Sequence, residues 1–169
     1  MSASALRDKT CFFSGHRDIP PEQFEAVQAS IGQAVEYLIT QGVQYFCVGG
    51  AFGFDTLAAL TVLQRKQIHP EIRLALILPC KGHDFSWQGE DKTPFEKICA
   101  QADRVLYTSD RYYSGCMNKR NRHMADVSAW GIVYLDRETG GTAYITSYAR
   151  SVGVKIVNLA DEEEPLLSI

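Results

Sequence analysis

The 169-residue sequence predicts an α/β fold: a three-layer, doubly wound, mostly parallel sheet of about six strands. Two observations carry that expectation. Short apolar runs alternate with amphipathic helical segments along the chain, the pattern of a parallel sheet covered on both faces. No repeat, low-complexity tract or long linker divides the sequence, so one domain over 1–169 is expected. Its core should run from about 10 to 159, between a short N-terminal tail and an acidic C-terminal one.

Thr10–Ser14 (TCFFS) is the first strand candidate, followed by helical spacing over Glu22–Gln41 through Phe24, Val27, Ile31, Ala34, Val35 and Leu38. Gly42 stops that helix. Tyr45–Val48 (YFCV) is the second strand, and a helix from about Asp55 to Lys66 follows. Ile72–Leu78 (IRLALIL) is the third, then an aromatic loop and a helix from about Pro94 to Ala102. Arg104–Tyr107 starts a fourth strand, Gly131–Leu135 forms a fifth, and Val154–Leu159 a sixth. The last two flank a helix from about Thr142 to Ser151. Right-handed crossovers make this a Rossmann-like sandwich, whose ligands bind at the carboxyl ends of the strands near the switch in strand order.

The helix between strands four and five breaks its own pattern. At about 100° per residue, Met117, Met124, Val127 and Ser128 share one side, and Lys119, Arg122, His123 and Asp126 the other. Arg120 and Asn121 fall on the apolar side, near the helix start. An unpaired guanidinium is costly to bury, so Arg120 needs a partner or a cavity.

Composition narrows the classes. Hydrophobic residues make up 46% and charged residues 22%, as in globular proteins. Lys and Arg number 17 against 20 Asp and Glu, a net charge of −3, which argues against nucleic acid and anionic membrane as partners. The five cysteines are scattered with no CxxC spacing, which suggests neither a zinc site nor a disulfide framework. No metal and no cofactor is expected. MSASALRDKT lacks the apolar core of a signal peptide and no apolar run approaches a membrane span, so a reducing, cytoplasmic setting is expected.

The loops after the strands hold the candidate chemistry. After strand one, Ser14, Gly15, His16 and Arg17 combine a close-approach glycine with a guanidinium fork for phosphate or carboxylate. After strand two, GGAFGFD places Gly49, Gly50 and Gly53 before a helix opened by Phe54 and Asp55. Such a loop can turn backbone N–H groups toward an anion, although its spacing is not that of a dinucleotide fingerprint. Asp55 reads equally as a helix cap or as an acceptor for ribose hydroxyls. In the loop after strand three, Trp87 is a candidate for stacking on a base. After strand four, Asn118, Arg120 and Asn121 ride on the exceptional helix. After strand five come Asp136 and the turn Gly140-Gly141-Thr142, a second possible anion cradle or an ordinary capped turn.

SGHR at 14–17, GGAFGFD at 49–55 and RN at 120–121 resemble the YpsA-type proteins of the SMF/DprA–LOG (SLOG) superfamily, over about residues 10–159. The resemblance implies a Rossmann-like fold and a nucleotide or nucleotide-derived ligand. It also implies a possible homo-oligomer. A more distant similarity is to LOG-type phosphoribohydrolases, which cleave the base from nucleoside monophosphates. Met117, Arg120 and Met124 resemble their helix motif, which implies a catalytic role for Arg120. Gly141-Thr142 match the end of their glycine motif, but its glutamate position falls on Ile145. The expected function is therefore binding of an ADP-ribose-like or cyclic nucleotide ligand. An N-glycosidic hydrolase or phosphoribosyl-transferring enzyme, using Arg120 with Asp55, is the alternative. Asp136 or Glu138 are further substitutes for the missing carboxylate.

Overall fold

The computed structural model describes residues 2–81 and 92–161, so Trp87 lies outside the described residues. Six strands form one sheet: β1 (Thr10–Gly15), β2 (Tyr45–Val48), β3 (Arg73–Leu78), β4 (Arg104–Tyr107), β5 (Trp130–Tyr134) and β6 (Lys155–Asn158). Their order is β4-β3-β2-β1-β5-β6, and every neighbouring pair is parallel. The sheet is thus wholly parallel where a mostly parallel one was expected. The order reverses between β1 and β5, which fixes the switch point.

Six α-helices accompany the strands: α1 (Ala3–Asp8), α2 (Phe24–Thr40), α3 (Phe54–Lys66), α4 (Lys92–Gln101), α5 (Cys116–Asp126) and α6 (Gly141–Ser151). Side chains alternate across each strand, which builds two cores. Cys11 and Phe13 of β1 face the layer of α2, α3 and α4, with Ile31, Leu38, Phe54, Val62 and Ile98. Phe12, between them, faces α5 and α6 with Met124, Ile145 and Ala149. Phe13 stacks on Phe46 with ring centroids 6.0 Å apart. Each such buried aromatic contributes about 1.5–3 kcal/mol.

Helix α1 replaces the expected N-terminal tail. Ser2 caps it, accepting from Ala5 N at 3.2 Å. Arg7 then donates from Nε to Ser128 O at 3.1 Å and from Nη2 to Val152 O at 2.8 Å. Those carbonyls lie just past the ends of α5 and α6, where a cation suits the helix dipole. Polar MSASALRD carries no apolar stripe, so periodicity had nothing to detect. No helix among the described residues is long and apolar enough to cross a membrane.

Candidate functional site

The switch between β1 and β5 opens a cavity of about 500 Å³ at the carboxyl ends of the strands. Ser14, Gly15, His16 and Arg17 supply one wall, Asn118, Arg120 and Asn121 of α5 a second, and Gly140, Gly141 and Thr142 a third. Asp55 reaches the same space from α3. The structure thus gathers residues from four loops that the sequence places far apart.

Arg120 is 5% exposed, and its position on the apolar side of α5 now has a cause. It passes between the sheet and the cavity, and its Nη1 donates to Gly49 O and Ile77 O. Nε donates to Asn121 Oδ1 at 2.9 Å, which orients the guanidinium. Gly49 is glycine for a steric reason: a Cβ there would lie 2.6 Å from Arg120 Nη1. Burial lowers the Arg120 pKa, with nearby Asp55 opposing the shift. The group stays cationic at neutral pH, because even a lowered guanidinium titrates far above it.

Asp55 is neither the helix cap nor solvent-facing. Gly53 occupies the N-cap position, with φ 72°, and Asp55 lies two residues further on. Its Oδ2 accepts from Ala51 N at 3.2 Å, while Oδ1 is buried with no hydrogen-bond partner. Burial raises its pKa from 3.8 to about 6, against the pull of Arg120. No ion pair joins Asp55 to Arg120 or Arg17 among the described residues.

Arg17 is exposed, lies 5.8 Å over the Phe52 ring, and has no carboxylate partner among the described residues. The rim is tied differently. Arg137 contacts Asp18 Oδ1 and Asp136 Oδ1, each at 3.3 Å, and His16 Nε2 lies 2.9 Å from Asp136 Oδ1. Burial first, then Arg137, lowers the His16 pKa, against the opposing pull of Asp136. Ser14 Oγ and Thr142 Oγ1 share a hydrogen bond at 3.1 Å across the switch point. Neither α5 nor α6 has a side-chain cap, and both begin beside the cavity after glycines with φ 97° and 103°. Cys116 N, the first of α5, donates to Tyr113 O at 3.1 Å, and the next N–H groups of α5 and those that open α6 are left to meet an anion.

Several expected residues serve the site without lining it. Gly49 and Gly50 are buried behind Arg120, and the loop they open is closed by Ala51 N donating to Asp55 rather than left as a cradle. Gly53 packs where a Cβ would meet Arg17 O at 2.4 Å, and its φ of 72° suits glycine. Phe54 is fully buried and fills the space beneath Gly15, so its place is in the core and not against a ligand. Asp136 holds His16 at the rim. Sequence reasoning missed Asp18, Ala51, Met117, Arg137 and Thr139, which also line the cavity. Arg137 was legible in principle, as a cation directly after β5.

A larger groove of about 630 Å³ lies at the opposite, amino-terminal ends of the strands. Several polar groups there are already engaged: Arg7 on two helix ends, Asp103 on Lys66 and Leu74 N, Asp126 on Tyr148. Arg104 and His123 also line it, but none of the buried polar atoms left without a hydrogen-bond partner among the described residues does.

Fold and cavity define a Rossmann-like α/β protein with a cation-lined pocket at its switch point. Residues 15–155 match the YpsA model, described as the YspA SLOG family, and the chain belongs to that family. A UPF0398 protein of Halalkalibacterium halodurans is 29% identical over 118 residues, covering 69% of this chain and 62% of that one. One from Staphylococcus epidermidis is 24% identical over 140 residues, covering 77% and 74%. The chain therefore spans about three-fifths to three-quarters of these relatives.

Among solved structures, DNA processing protein A from Helicobacter pylori, described with a single-stranded DNA binding mode, aligns with TM-score 0.67 at 17% identity. That alignment covers 96% of this chain and 71% of the other. DNA processing protein A from Streptococcus pneumoniae aligns with TM-score 0.66 at 19% identity, over 89% and 50%. These neighbours correct one expectation. The net charge of −3 does not exclude nucleic acid, since a protein of this fold binds single strands. Whole-chain charge averages over acidic surfaces remote from the pocket, whereas recognition is decided by local cations.

Proposed function

We propose that the chain binds a nucleotide-derived molecule, holding phosphate and ribose in the cavity between β1 and β5. One observation carries this reading. Two guanidiniums without carboxylate partners, Arg17 and buried Arg120, converge with the partnerless Asp55 Oδ1 on one cavity. An anion satisfies the guanidiniums and the uncapped starts of α5 and α6. A sugar hydroxyl satisfies Asp55, which needs a donor in place of water. The Ser14–Thr142 pair and Asn121 add neutral hydrogen-bonding groups suited to a hydroxyl-rich ligand.

Hydrolysis of an N-glycosidic bond is less well supported. Ile145, at the position of the hydrolase glutamate, is fully buried against the sheet, so no carboxylate enters from α6. Asp136 is held by His16, and Glu138 does not line the cavity.

Calorimetry with AMP, ADP-ribose, NAD and cyclic dinucleotides tests the proposal. At least one should bind with micromolar or tighter affinity, and Arg120→Ala should weaken it at least tenfold while leaving the fold intact by circular dichroism. Absence of binding by all four, or unchanged affinity in a folded Arg120→Ala protein, refutes it.

A further inference from the structure

Next to the cavity, the turn after β4 leaves aromatic rings in water. Tyr107, Tyr112 and Tyr113 are 42%, 73% and 44% exposed. They account for three of the four large aromatic side chains exposed among the described residues, and all lie within one short stretch of chain. Apolar rings gathered this closely in solvent lose the burial free energy that aromatic residues usually contribute, so they mark an interaction surface.

The same turn is cationic and concave. Tyr107, Ser109, Arg111, Tyr113 and Lys119 line a depression of about 370 Å³, with Asp110 the carboxylate among them. Arg111 and Lys119 form no ion pair among the described residues. Ser109 Oγ is buried there without a hydrogen-bond partner. Arg122, whose Nη1 donates to Tyr144 Oη at 2.9 Å, carries positive charge further round α5.

Helix α5 connects this depression to the nucleotide cavity. Met117, Asn118, Arg120 and Asn121 face the cavity, while Lys119 faces the depression. The first turns of α5 therefore form the wall between two cation-bearing hollows, separated by about one helix width, on the order of 10 Å. Cations without carboxylate partners, beside exposed rings, are the chemistry that holds a single strand by its phosphates and stacked bases.

We propose that Tyr107, Tyr112 and Tyr113, with Arg111 and Lys119, form a base-stacking platform that extends the ligand from one nucleotide to a short single-stranded oligonucleotide. This rests on the reading that the Arg120 cavity accepts a nucleotide. One nucleotide sits in that cavity, and its neighbours cross the start of α5 to stack on the tyrosines. Duplex ends are poor ligands, because paired bases present no free faces to the rings.

Fluorescence anisotropy competition with AMP and with oligoadenylates of increasing length, in ribose and deoxyribose forms, separates the two claims. Affinity should rise at least about tenfold from AMP to the tetramer and fall with added salt. Tyr112→Ala and Tyr113→Ala should each weaken the tetramer about tenfold, while AMP affinity stays within about twofold and Tyr112→Phe behaves as wild type. Arg120→Ala should weaken both ligands. If AMP binds but length brings no gain, or if the tyrosine variants hold the tetramer at full strength, the platform is overturned and the nucleotide cavity stands. If neither AMP nor any oligomer binds, the nucleotide reading fails and the platform with it.

Discussion

Asp55→Asn should make the protein more stable at neutral pH and worse at binding. The carboxyl is buried, and its pKa stands at about 6 against an ordinary 3.8. The folded protein therefore keeps a proton that the unfolded chain releases near pH 4. Between those values the native state binds more protons, so stability falls as pH rises through the window. Below it the cost is absent, and above pH 6 it is complete. At about 1.4 kcal/mol per pH unit, the window corresponds to about 3 kcal/mol at neutral pH. Asparagine does not ionise, so it escapes that cost while keeping an oxygen to accept from Ala51 N. Urea denaturation of both proteins at half-unit steps from pH 4 to 7.5 measures the difference directly, because other titrating groups cancel. The variant should gain on wild type steadily between pH 4 and 6, then hold its lead. Calorimetry should show about tenfold weaker binding of a ribose-bearing ligand, since the amide replaces one acceptor with a donor. A stability difference that does not change with pH would refute the reasoning, because it would mean that Asp55 titrates alike in both states.

Two glycine replacements should separate fold from site. Gly53→Ala meets the carbonyl of Arg17 at 2.4 Å with φ at 72°, so thermal denaturation should show a loss of about 2 kcal/mol or more. Gly49→Ala instead meets the end of a long side chain, Arg120 Nη1 at 2.6 Å, so calorimetry should show weakened nucleotide binding with a much smaller change in melting temperature. Arg120→Lys keeps the charge but loses the fork that joins Asn121 and Gly49, and binding should drop at least tenfold rather than recover. A double-mutant cycle on Ser14→Ala and Thr142→Ala, followed by urea denaturation, should give a coupling of about 0.5–1.5 kcal/mol.

The layers were legible because hydrophobic periodicity reports burial directly. Val27, Ile31, Leu38 and the run around Phe13 had nowhere to go but the core, and strand ends moved by a residue at most. The start of the second helix differed for a local reason: Pro21–Gln23 form a 3₁₀ turn before α2 begins at Phe24. Residues that meet across the switch point were legible as types but not as roles. A glycine-rich loop before a helix looks like a cradle whether its N–H groups face a ligand or, as at Ala51, a side chain four residues on. Phe54 illustrates the same limit, since its place under Gly15 depends on how β1 and α3 pack. Arg120 was the exception, because a cation on an apolar stripe is already a statement about three-dimensional surroundings.

The strand order has a consequence for biosynthesis. β1 needs β5 to cover one of its edges, and Ser14 meets Thr142 across 128 residues of chain. The first four strands can assemble while the rest of the polypeptide is still being translated, since domains gain structure from the N-terminus as they emerge. Until Trp130–Tyr134 arrives, the β1 edge stays open to any other strand that finds it. Nascent chains stalled before β5 should thus be a source of aggregation, and the switch-point pocket one of the last parts of the molecule to come into being.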